Sequence, residues 1–77
     1  LKSNEMDIRK ISIGADYKSG AMHYIVGQDV LSGSHRIHLI QDHEEGYKIW
    51  IQKAEEVYLW KEFRKTLPIS LEFNINF

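Results

Sequence analysis

The chain has no cysteine. That excludes disulfides and thiolate metal sites as supports for a small fold, and it fits a cytoplasmic protein. There is no excess of one charge: 10 Lys and Arg stand against 11 Asp and Glu. A protein that tracks nucleic acid usually carries a basic surplus, so the balance argues against that class of partner. No apolar run approaches the roughly 18 residues of a membrane span, so no membrane partner is expected. The polar start over residues 1–5 has no signal-peptide pattern. We read Met6 as the natural start and residues 1–5 as a tail or an appended remnant. Residues 6–77 then form a single β-rich domain. A chain this short buries only about 60% of its unfolded surface. Without disulfides, oligomerisation is the expected supplement.

What the chain does have is alternation. Ile69, Leu71, Phe73, Ile75 and Phe77 are separated by single polar residues, and the one proline, Pro68, stands just before them. Period 2 marks a strand with one dry face and one wet face. We expect this strand to be central and Phe73 to be buried. Upstream, Met6 to Ile13 reads as a strand whose isoleucines change parity near Arg9 and Lys10, the mark of a bulge. Met22 to Val26 is apolar on nearly both faces and is expected to be interior. Asp29 to Ser34 reads as a turn. His35 to Gln41 reads as a strand with Ile37 and Leu39 on one face and Arg36, His38 and Ile40 on the other. Tyr47 to Lys53 follows, with Tyr47, Ile49 and Ile51 on one face.

Residues 54–67 admit two readings. Val57 to Phe63 suits a strand. Glu55 and Glu56 at the start, Arg64 and Lys65 at the end and Pro68 beyond suit a helix. Register favours the strand. A three-residue loop over 54–56 pairs Tyr47 with Phe63, Lys48 with Glu62, Trp50 with Trp60 and Ile51 with Leu59. A two-residue loop would set Lys48 against Lys61, which like charges disfavour. The predicted fold is therefore all-β, a small antiparallel sheet or barrel of five to six strands. The alternative is α+β with a helix over 54–67.

The chain offers little for catalysis. His35 and His38 are three apart, so on a strand they diverge and cannot share a metal ion. Gly14 to Gly20 has the outline of a phosphate loop, but Tyr17 occupies the place before Lys18 where such loops need glycine. The loop can still hold an anion through backbone N–H groups and Lys18. The serines carry no nucleophile signature. We expect no enzyme, no cofactor and no metal. In the three-residue register, Trp50, Tyr58 and Trp60 share a face opposite Ile49, Ile51 and Leu59. The candidate ligand residues are Tyr17, Tyr24, Trp50 and Trp60 for stacking, and Lys18, Arg36 and Arg64 for charge.

The runs Ile13 to Lys18 and Ala21 to Gln28, with Leu59 to Phe63 and Pro68 to Leu71, resemble the short open reading frames of tailed bacteriophages. That resemblance implies a small viral protein acting in the host cytoplasm, by sequestering a nucleotide signal or masking a host protein. Three functions follow as expectations. The first is a non-enzymatic homo-oligomer that binds a small anionic, nucleotide-like ligand. The second is a protein-interaction module that inhibits or scaffolds a partner. The third is single-stranded nucleic-acid binding on an aromatic sheet, which the neutral charge weakens.

Overall fold

Among the described residues, isoleucine alone supplies the buried hydrophobic side chains. Ile8, Ile11 and Ile13 come from one strand, Ile37 and Ile40 from another, and Ile49 and Ile51 from a third. Each buried side chain of this kind contributes about 1.5–3 kcal/mol relative to exposure. β-branching also suits the residue to a pleated strand, where its restricted χ1 costs little. The computed structural model describes residues 7–14 and 22–74. Ile75 and Phe77, and the glycine loop with Tyr17 and Lys18, lie outside the described residues.

The described residues form seven strands and no helix. They are β1 (Ile8–Ile13), β2 (Met22–Ile25), β3 (Asp29–Val30), β4 (His35–His43), β5 (Gly46–Lys53), β6 (Glu56–Phe63) and β7 (Ile69–Phe73). All pairings are antiparallel. One sheet has the order β2-β1-β7 and the other β3-β4-β5-β6. The chain passes between them at a corner. Val26 N–H still donates to Arg9 O on β1 (2.9 Å), while Gly27 N–H donates to Ile37 O on β4 (2.8 Å). Gly27 makes this bend at φ 95°, a conformation that side chains rarely adopt. The sheets thereby curl into an open half-barrel around the isoleucines.

The all-β expectation holds, and residues 56–63 are strand rather than helix. The strand count rises to seven because two residues of the expected turn, Asp29 and Val30, pair with Arg36 and His35.

Three bulges decide which side chains reach the core. The first is at Arg9, where the β1–β7 register shifts between Ile8 and Lys10, as the isoleucine parity predicted. The second is at His38. The extra residue turns Ile40 inward and leaves Leu39 outward, 43% exposed. The expectation that Ile37 and Leu39 share a face is thus corrected: Ile37 and Ile40 do.

The third bulge is on β6. Tyr47 faces Phe63, Lys48 faces Glu62 and Ile49 faces Lys61, but then Trp50 faces Leu59 and Ile51 faces Tyr58. The loop is the two-residue Ala54-Glu55, with Ala54 at φ 55°. The expected pairs Trp50–Trp60 and Ile51–Leu59 do not form. Trp60 is the extra residue, and by absorbing one step it keeps Lys48 away from Lys61 despite the short loop.

The edges also differ from expectation. β1, not β7, is central in its sheet, and β2 is an edge strand rather than an interior one. Ile69 and Leu71 are half-buried against the core, whereas Phe73 is 42% exposed. A strand paired on one side only has no neighbour to cover its far end.

Candidate interaction face

Because directly opposed residues in a sheet point to the same side, the register of β4, β5 and β6 defines a ladder on the outer face. Leu39, Trp50 and Leu59 form its central row. On one side lies the row Gln41, Lys48 and Glu62; on the other lie Arg36, Gln52 and Val57. Leu59 and Val57 are exposed. The Trp50 indole N–H donates to Gln41 Oε1 at 3.0 Å, and Lys48 Nζ lies 3.8 Å from Glu62 Oε1. The result is an apolar row held between polar rows, the arrangement of a contact patch with a polar rim.

The inner face takes the other aromatics of β5 and β6. Trp60 packs against the isoleucine core, and Tyr24 of β2 meets its ring edge-on at 5.7 Å. Tyr24 also stacks on Phe63 at 5.8 Å. Tyr58 shares the face of Ile51 and donates its hydroxyl proton to Glu56 Oε1. That bond raises the Tyr58 phenol above its ordinary value. The expected single face of Trp50, Tyr58 and Trp60 is therefore corrected: the Trp60 bulge divides them, with Trp50 outward beside Leu59.

The candidate ligand residues are dispersed. Tyr24 and Trp60 come together inside the barrel, while Trp50 lies on the outer face. Arg64 is exposed just beyond β6. Arg36 Nε contacts Asp29 Oδ1 at 3.4 Å. It lines a polar depression of ≈ 300 Å³ with Ser34, His35 and Lys53. A second, larger cleft of ≈ 500 Å³ runs between β1, β4 and β7, lined by Asp7, Ile8, Leu39, Ile40, Gln41, Asp42 and Phe73.

Several titratable side chains form local pairs. Ser12 Oγ lies 2.8 Å from His23 Nδ1, and Ser34 Oγ lies 2.6 Å from His35 Nδ1. Neither ring has an acidic hydrogen-bond partner among the described residues. Lys65 binds Asp42 at 2.6 Å, a contact that raises its ammonium above the ordinary range, and Arg9 binds Glu72 at 2.8 Å. Among the described residues no three His, Asp or Glu side chains gather as metal ligands.

Leu39, Val57 and Leu59 were not among the candidates read from sequence. The available signal was the three-residue spacing of Ile37 and Ile40, which implies a bulge and so an outward Leu39. Comparison of the chain with protein-family models, curated proteins and solved structures finds no match.

Proposed function

We propose that this protein is a non-enzymatic interaction module that docks another polypeptide on the outer face of its four-stranded sheet. The observation that carries the reading is the row Leu39, Trp50 and Leu59, in which two exposed leucines flank a half-buried indole in the middle of a ladder whose flanks are polar. Small domains rarely leave such a contiguous patch without use. The resemblance to short phage proteins points the same way, toward masking of a host protein.

The test is cross-linking in host extract from a photoreactive side chain at position 52. Wild type should capture a defined polypeptide, and Leu39→Ser/Trp50→Gln should lose it while keeping the circular dichroism of the wild type. Equal capture by both proteins overturns the reading. A second reading, sequestration of a small anion, is favoured by the depression that joins Arg36 to Lys53 and His35. It predicts that a nucleotide raises the melting temperature of wild type but not of Arg36→Ala.

A further inference from the structure

The outer edge of β6 is eight residues long. Among the described residues, none of its main-chain groups bonds to a strand other than β5. Val57, Tyr58 and Leu59 are each at least 40% exposed, three consecutive large apolar residues on this one edge. Free edges of this length are normally blunted by lysine, proline or a covering loop, because they template pairing with another chain. β6 has no proline, and its one lysine, Lys61, leans over the Trp60 ring at 4.7 Å.

We propose that β6 pairs antiparallel with β6 of a second copy of this chain, across a two-fold axis at Tyr58. The sequence itself selects that register. Opposed residues must share a face, so a strand meeting its own copy pairs residues of like orientation. With Tyr58 on the axis, Val57 faces the partner's Leu59, and both point to the outer face. Stepping past Trp60, the bulge residue, Glu56 faces the partner's Lys61. Glu56 lies opposite Lys53 and Lys61 lies opposite Ile49, which places both on the inner face. One register thus matches apolar to apolar, acid to base and face to face. Centring the axis on Leu59 instead sets Tyr58 against the partner's Trp60, on whose bulge the register breaks, and leaves Val57 and Glu56 without matched partners.

The occupant is a second copy because the edge complements itself. The consequence is a continuous eight-stranded sheet. Each apolar row then ends on the partner's Val57, so the two rows lie side by side across the axis, and Leu39 and Trp50 stay clear of the new strand pair. The inference goes beyond the docking reading, since it uses the edge and a copy of the same chain. The two fail separately: Leu39→Ser/Trp50→Gln should leave the dimer intact.

The absence of cysteine makes a direct test clean. Tyr58→Cys places its only thiol against itself across the axis, within disulfide reach. Mild oxidation should convert it almost wholly to a covalent dimer, whereas Glu62→Cys, remote from the axis, should form no covalent link. Equal cross-linking at both positions overturns the register. In parallel, sedimentation of wild type at micromolar concentration should show a dimer. Lys61→Glu should weaken it about tenfold, because one substitution sets two like-charge pairs across the axis. Glu56→Lys/Lys61→Glu should restore it. A wild type that sediments only as the 9.1 kDa monomer, or a double variant no tighter than the single, overturns the proposal.

Discussion

Trp50 on β5 and Gln41 on β4 are joined by an indole N–H donated to the amide oxygen at 3.0 Å. The bond runs diagonally over the outer face and holds the large ring half-buried beside Leu39 and Leu59. A double-mutant cycle of Gln41→Ala and Trp50→Phe in urea should therefore show a coupling of about 0.5–1.5 kcal/mol. Additive costs would mean that the ring is held by packing alone.

Core and rim should separate sharply by alanine substitution. Ile49 is fully buried, so Ile49→Ala should cost about 2–5 kcal/mol. Phe73, exposed on an edge strand, should cost only about 1 kcal/mol when cut to alanine. Equal losses in denaturant titration would contradict the edge position of β7.

The β3–β4 turn is a site for stabilisation. Leu31 and Ser32 both take left-handed conformations, at φ 53° and 59°, in a turn closed by Gly33 N–H to Val30 O at 3.1 Å. A left-handed residue costs roughly 1–2 kcal/mol, least for asparagine or glycine. Leu31→Asn should raise stability by about 1 kcal/mol, read as a higher melting temperature. A fall would show that the exposed leucine makes a contact worth more than the strain.

Gly46 calls for the opposite substitution effect. A Cβ there would sit 2.7 Å from the Phe63 carbonyl oxygen, a backbone atom that cannot swing away. Gly46→Ala should cost about 1–3 kcal/mol and loosen the pairing of Tyr47 with Phe63. Hydrogen exchange confined to the ends of β5 and β6 is the expected signature.

Alkaline pH should weaken the fold through two surface contacts. The bond to Glu56 raises Tyr58 above 10.0, and the bond to Asp42 raises Lys65 above 10.5. In both cases the folded state prefers the protonated form. The contribution is therefore complete below those unfolded values and is lost as pH rises through the raised ones. Urea midpoints across the alkaline range should fall less steeply in Tyr58→Phe and in Lys65→Met than in wild type.

How much of this was legible depends on the bulges. The Arg9 bulge could be read because Ile8, Ile11 and Ile13 admit no single parity. Ile37 and Ile40 carry the same three-residue signal, but Leu39 supplied a competing alternation that a regular strand would satisfy. On β6, the Lys48–Glu62 pair was legible from charge. The route to it was not: a short loop with one extra residue at Trp60 gives the same pairing there as a longer loop with none. That single residue decides which face Leu59 and Trp60 occupy, so the outer apolar row could not be seen from spacing. The final strand was legible as a strand but not as an edge, because alternation reports two unlike faces and says nothing of how many neighbours a strand has.

The isoleucine core has a spectroscopic consequence. Because the buried apolar side chains among the described residues are of one type, selective methyl labelling of isoleucine would display them in a single spectrum. Ile25 and Ile69 would appear beside them as half-buried reporters of β2 and β7. The tryptophans see something else. Trp50 lies on the outer face, whereas Trp60 packs on the isoleucines beside Tyr24, so the two emissions report different surroundings. In Trp60→Phe, a core that loosens while the outer face holds would leave the Trp50 emission unchanged and broaden the methyl signals.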